Sequence, residues 1–357
     1  MLMQKGGRTF TEILEQPDCW ASSIRLYNKE RETLIWIKKM RFEQIIFIGC
    51  GASYAAAMVG SWMFRDVGKV NAIAFPASEL VLSENLPFDI RRRTLVIALS
   101  KSGETHEVAW AMNRLRKIKP DLPIMVLTCN GESELIGQAT KSIITDMAMD
   151  DGVVAIKSFS TTLYVLALIA AAIGGQGKLL QELSKIPKMI EIRKYYDAIS
   201  KMRKLSDVKS ITFCGTGFNW GLAQYGSLLV KEMSLTPANY LQTLEVRHGH
   251  FVSASPTSLF VYLLSENSKE LQLEAMHDTA KLRALMFLVA EDMSEMVEAG
   301  VEYAIKLKTD LSPYSRIFYT IPIIQAISFQ HAICKGMNPD KPKHLTGAVK
   351  YRHKMEF

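Results

Sequence analysis

Ser100, Ser102 and Thr105, with Gly103 among them, close the stretch "ALSKSGET" (residues 98–105), where an apolar run gives way to a helical pattern. Three hydroxyls and a glycine in so short a span suit the holding of an anion. A strand that hands its last residue to a helix leaves several unpaired backbone N–H groups at one point, and the helix dipole favours negative charge there. The hydroxyls add donors, and Gly103 lets the chain turn without a Cβ in the way. The turn therefore reads as a phosphate cradle. The alternative is that Ser102 caps the helix, with Glu104 and Thr105 serving its first turn. Ser53, at the end of "GCGAS" (49–53), is expected at the same edge of the sheet, where the carboxyl ends of parallel strands bind ligands. Neither a Walker lysine pattern nor a full GxGxxG fingerprint occurs, which argues against a nucleotide.

The elements that must position these residues follow from the apolar pattern. Short β-branched runs alternate with longer helical stretches, the signature of strand–helix–strand units and a doubly wound parallel α/β sheet. Strands are predicted at Gln44–Gly49 and Thr94–Ser100, and within "PIMVLTC" (123–129) and "SIITDM" (142–147). The pattern then returns. "IIFIGCGASYAAA" from Ile45 is echoed by "ITFCGTGFNWGLA" from Ile211, and Ser265 of "LLSENSKE" follows Ser100 at the same interval to within one position. Two motifs at one spacing predict a duplicated unit. In the second copy Glu266 follows the strand and would repel a phosphate, so only the first copy is expected to keep the anion chemistry. The predicted organisation is an N-terminal helical segment (1–30), a first unit (31–176) that binds the ligand, a helical linker (177–203), a second unit (204–335) and a tail covering the active site (336–357).

The chain has 357 residues, with Lys+Arg 43 against Asp+Glu 36. That excess suits an anionic small molecule and is too dispersed to argue for nucleic acid. Five scattered cysteines show no CxxC pair, so neither a metal site nor a disulfide framework is expected, and a reducing cytoplasm fits best. The start lacks the layout of a signal peptide. The apolar run from Leu163 is too short for a membrane span and reads as a buried helix.

"GCGASY", "LSKSGET", "KSFSTT" from Lys157, "LVKEMS" from Leu229 and "EVRHGH" from Glu245, with the opening "EILEQP", resemble the sugar-isomerase (SIS) domain pair. Within it they are most similar to the isomerase half of glucosamine-fructose-6-phosphate aminotransferase and its deaminase, deglycase and ketose/aldose-isomerase relatives. The resemblance implies that Ser53, Ser100, Lys101, Ser102 and Thr105 bind the sugar phosphate, with Ala155 and Lys157 lining the sugar pocket. It also implies that Glu232 moves a proton between C1 and C2. His248 would open the sugar ring from across the interface of a homodimer. Enolisation beside a carbonyl independently needs a carboxylate and a proton shuttle of this kind. No cofactor is implied.

The departures narrow the reaction. Leu229 and Gly347 stand where the resembled aminotransferase has lysines, and Ala155-Ile156 replaces a serine-bearing segment. No amidotransferase domain and no nucleophilic Cys at residue 2 are expected before the isomerase-type opening. The expected function is proton transfer on an amino-sugar or ketosamine phosphate with release of amine. A plain ketose/aldose-phosphate isomerase and a non-catalytic phosphosugar sensor are the alternatives. A sensor that regulates transcription would carry a basic recognition helix, and none is found outside the two units.

Overall fold

The computed structural model describes residues 5–292, 301–347, 349 and 351. The chain divides into two compact units: a first unit of residues 15–188 with 346–357, and a second of residues 1–14 with 189–345.

In the first unit, α1 (Gly7–Lys29), which begins in the second unit's share of the chain, and α2 (Arg31–Met40) precede the sheet. Then follow β1 (Gln44–Gly49), α3 (Ala52–Asp66), β2 (Asn71–Pro76), α4 (Ala77–Leu82), β3 (Thr94–Ser100) and α5 (His106–Ile118). The unit continues with β4 (Ile124–Thr128), α6 (Glu134–Gly137), β5 (Lys141–Ile144) and α7 (Lys157–Ile173). The strands are parallel, in the order β2-β1-β3-β4-β5. β1 and β3 are buried at every position, because helices cover both faces of the sheet, and so they read as unbroken apolar runs rather than as alternation. The apolar run from Leu163 lies within α7, whose residues are almost all buried. "SIITDM" yields a shorter strand than its composition suggests: pairing stops at Ile144, and a 3-10 turn takes Asp146–Ala148.

The polar stretch after α7 forms two helices, α8 (Gly177–Met189) and α9 (Ile192–Ile199). Pro187 lies in the last turn of α8, and the division between the units falls after Lys188. The second unit then repeats the first: β6 (Ser210–Gly215), α10 (Phe218–Ser234), β7 (Ala238–Gln242), β8 (Ser258–Leu263), α11 (Lys269–Ala280), β9 (Leu285–Ala290), β10 (Tyr303–Lys306) and α12 (Pro313–Cys334). Its order, β10-β9-β8-β6-β7, is the first sheet's order strand for strand. β6 pairs with β7 and β8 as β1 pairs with β2 and β3. The fold is two tandem α/β units. Among the described residues α12 alone has the length and apolar composition of a membrane span, with 83% of its most apolar window inside the protein. It fills the second unit's core as α7 fills the first's.

The end of α10 is held by a buried polar cluster. Leu235 ends the helix in the left-handed region at φ 55°, a conformation that costs a non-glycine residue about 1 kcal/mol or more. The next residue, Thr236, is pinned. His331 donates from Nδ1 to the Leu205 carbonyl at 3.0 Å and accepts at Nε2 from the Thr236 hydroxyl at 2.8 Å. The Lys335 ammonium donates to the same hydroxyl at 2.7 Å. Burial pushes the His331 imidazole below its ordinary value. A depressed folded-state pKa means that the neutral ring contributes its stability above the ordinary value near 6.5. That contribution is lost as the pH falls below it. We therefore expect His331→Gln to cost roughly 1 kcal/mol at pH 8. The gap from wild type should narrow as the pH is lowered toward 5. Urea unfolding across that range reads the difference directly, and a gap that stays constant or widens in acid would contradict the assignment.

Candidate functional site

The order of the first sheet reverses between β1 and β3, the position where open α/β sheets bind their ligands. Both edges of that crevice are shaped by backbone constraints. A Cβ on Gly49 would lie 2.8 Å from the Ser53 carbonyl, and Gly51 turns into α3 at φ 55°. The first turn of α3 is thereby brought against the end of β1. Ser53, in that turn, lines a small cleft with Lys101, Ala155, Ser158, Phe159 and Thr162.

The turn after β3 is braced from within and from the segment that follows β4. The buried Ser100 hydroxyl shares a hydrogen bond of 2.9 Å with the Thr105 hydroxyl and accepts from the Gly103 amide at 3.1 Å. Ser133 donates to the Gly103 carbonyl at 2.7 Å, Asn130 to the Ser102 carbonyl at 2.9 Å, and the Cys129 amide to the Lys101 carbonyl at 3.1 Å. Gly103 sits at φ 69°. Ser102 does not cap α5: the helix begins at His106, its N-cap is Thr105, and Thr105 makes no side-chain cap bond. The Ser102 oxygen instead accepts from the Glu104 amide at 3.2 Å, which leaves its own proton to donate. The leading N–H groups of α5 have no intrahelical acceptors.

Asp150, which the motif reading passes over, organises the other side of the cleft. Its buried carboxylate accepts from the amides of Ile156, Lys157 and Ser158 at 3.2, 2.8 and 3.3 Å and from the Ser158 hydroxyl. The N-terminus of α7 is thus already supplied with an anion. Lys101 lies 3.7 Å from the same carboxylate and donates to the Val153 carbonyl at 2.9 Å. Burial pushes the Asp150 carboxyl above its ordinary value, while Lys101 and the α7 donors pull against it. Lys157 extends its ammonium to Glu15 of α1 at 3.1 Å. No local signal marks Asp150, because the N-cap of α7 is Ile156 and the carboxylate reaches it from a preceding loop.

Glu232 and His248 belong to the second unit. Glu232 is half-buried in the last turn of α10. His248 is exposed on a loop anchored by the two residues that precede it. Val246 is buried in the core, and Arg247 meets Asp278 at 2.9 Å and Glu274 at 3.4 Å. Leu229 is 1% exposed and faces the core. The surroundings of Gly347 are open, with nothing within 4 Å of a Cβ placed there. Further along the tail, Tyr351 donates to Glu107 in the first turn of α5 at 2.6 Å and packs 4.8 Å from the Trp110 ring. That hydrogen bond pushes the Tyr351 phenol up to about 12. Residues 348, 350 and 352–357 of the predicted covering tail lie outside the described residues.

The family model of the SIS domain matches residues 40–172. Residues 40–172 are a SIS domain. The glutamine–fructose-6-phosphate aminotransferase [isomerizing] of Buchnera aphidicola is 28% identical over 95% of this chain and 57% of its own length. The chain therefore spans little more than half of that curated relative. Two solved structures share the fold. The glucosamine-6-phosphate deaminase of Thermotoga maritima has a TM-score of 0.76 at 24% identity, covering 96% of this chain and 99% of its own. The tagatose-6-phosphate ketose/aldose isomerase of Escherichia coli has a TM-score of 0.81 at 20% identity, covering 92% and 94%.

The SIS domain holds the braced turn, the cleft, Asp150 and nearly all of α7. Its least replaceable side chain is the missing one at Gly103, where a Cβ would lie 2.3 Å from the Ser133 Oγ and the positive φ adds strain. Gly103→Ala is expected to cost about 1–3 kcal/mol and to break the Ser133 contact. Ser133→Ala removes only a hydrogen bond and should cost about 1 kcal/mol. Thermal unfolding of the two variants tests the ranking, and a Gly103→Ala protein as stable as wild type would refute the packing argument.

Proposed function

We propose that this chain is a phosphosugar isomerase-type enzyme acting on an amino-sugar or ketosamine phosphate, shifting a proton between C1 and C2 and releasing the amine. The observation that carries this reading is the Ser100–Thr105 turn. It is a braced loop at the switch point of a SIS domain, and the leading N–H groups of α5 and the Ser102 hydroxyl are the proposed donors to the ligand. That arrangement matches a phosphate monoester, whose three oxygens accept charge-assisted hydrogen bonds. Ser53, Ala155 and Lys101, gathered in the adjoining cleft, are proposed to meet the sugar.

Glu232 is the proposed base. Its partner is His248, exposed on its anchored loop and proposed to open the sugar ring from a second copy of the chain in a homodimer. Once the proton has moved from the carbon bearing or adjoining nitrogen, the sugar–amine linkage becomes an imine. Water then hydrolyses it to sugar phosphate and free amine. Leu229, buried where the resembled aminotransferases have a lysine, favours this direction over nitrogen delivery, which asks more of the groups that hold the sugar.

Incubation with a panel of amino-sugar and ketosamine 6-phosphates in deuterated water tests the reading. Wild type is expected to exchange deuterium at C1 or C2 and to release amine. Glu232→Gln should abolish exchange with phosphosugar affinity nearly unchanged, whereas Ser102→Ala should weaken binding by roughly 1.5–3 kcal/mol. Exchange without amine release identifies a plain isomerase, and binding with neither identifies a sensor.

The shared site has its own test. Mixing inactive Glu232→Gln and His248→Ala proteins should restore part of the activity through hybrid dimers. No recovery despite demonstrated subunit exchange means that His248 acts within its own chain.

A further inference from the structure

The second unit has its own cleft at the reversal of its strand order, between the ends of β6 and β8, with a cavity of about 110 Å³. It corresponds to the SIS-domain cleft position by position. Pro313, Arg316, Ile317 and Thr320 repeat along α12 the spacing of Ala155, Ser158, Phe159 and Thr162 at the start of α7. Phe218 and Asn219 answer to Ala52 and Ser53, and Glu266 to Lys101, at the interval of the repeated motifs. The backbone device is repeated as well: a Cβ on Gly215 would lie 2.4 Å from the Asn219 carbonyl, and Gly217 has φ 63°.

The charges are transposed. Where the first cleft has the cation Lys101 at the strand end, the second has the carboxylate of Glu266. Where the first has Ser158 on the core helix, the second has Arg316. The Arg316 side chain, 10% exposed, is neutralised twice, by Glu266 and by Glu291 at 3.7 Å. Arg316 holds the Glu266 carboxyl below its ordinary range. Glu291 also accepts from the Thr309 and Asp310 amides at 2.6 and 2.8 Å, so it belongs to the frame of the cleft. Glu266 is different. Its side chain is 60% exposed at the mouth, and only one of its oxygens is taken by Arg316. Arg316 with its two carboxylates carries a net charge of −1, which opposes phosphate and attracts a cation. Around it Asn219, Ser265, Asn267 and Thr320 alternate with Leu263, Val289 and Ile317, a mixed lining suited to the polar edges and apolar faces of a polyol ring.

We infer that the second unit carries a separate ligand site of opposite polarity, which takes a small amine-bearing polyol without a phosphate, its ammonium at Glu266. The inference rests on the correspondence of the two clefts and does not depend on what the SIS-domain cleft binds. Its probe is D-glucosamine, with D-glucose as the amine-free control, titrated calorimetrically into wild type, Ser102→Ala and two Glu266 variants. Wild type and Ser102→Ala are expected to bind D-glucosamine with equal affinity and D-glucose at least tenfold more weakly, without competition from inorganic phosphate. Glu266→Gln should weaken D-glucosamine at least tenfold while leaving phosphosugar affinity unchanged. Glu266→Lys, which installs the residue of the first cleft, should lose D-glucosamine and gain saturable phosphate binding. The assignment is overturned if Ser102→Ala shows no saturable D-glucosamine binding, if the Glu266 variants bind it as wild type does, or if phosphate competes for it.

Discussion

Both units depend on one close approach: the first turn of a helix packed against the last residue of a central strand with no room for a Cβ. In the first unit Gly49 meets Ser53 across that gap, and in the second Gly215 meets Asn219. A nearby glycine, Gly51 or Gly217, takes the positive φ that lets the chain reverse. The approach sets the position of α3 and α10, and with them the residue that opens each crevice. A methyl group at either strand end would press on peptide backbone rather than on the end of a flexible side chain, and backbone in a packed helix cannot yield.

Given that common frame, the two clefts differ in where their charges are spent. In the SIS domain the α7 N-terminus is satisfied by Asp150, and the same carboxylate draws Lys101 toward it. The leading N–H groups of α5, close to Ser102 in the chain, have no intrahelical acceptors. A helix end loaded with a protein carboxylate repels a further anion, while one left with open N–H groups attracts it. On the proposed function, the α5 end is the place for phosphate and the α7 end faces the neutral part of the ligand. In the second unit the turn after β8 carries Glu266, and Arg316, the only cation among the described residues lining that cleft, is embedded between carboxylates. Duplication preserved the backbone and reversed the electrostatics.

Much of the architecture is legible in the sequence because its determinants are local. β1 and β3 are unbroken apolar runs ending in glycine or serine. The Ser100 turn joins a strand end to a helix start over a short span, and the repeat of two such motifs at nearly one spacing discloses the duplication. The resemblance of these motifs to SIS domains agrees with the family found over residues 40–172. The correspondence between α7 and α12 is not legible in the same way. The interval from Ser158 to Arg316 is shorter than the one from Ser53 to Asn219, since the connections between the motifs differ in length, and the two helices share spacing rather than residue types.

By itself the sequence determined the parallel α/β class, the two copies and the strand-to-helix turn from Ser100 to Thr105, because each follows from neighbours in the chain. Only the tertiary structure decided how the polar groups of the two clefts are partnered. Ser100 and Thr105 bond to each other, Lys101 turns to Asp150, Lys157 to Glu15, and Arg316 to Glu266 and Glu291. A buried charge must find its partner wherever the fold brings one within a few ångströms. The partners of these charges lie far away along the chain, where no local pattern announces them.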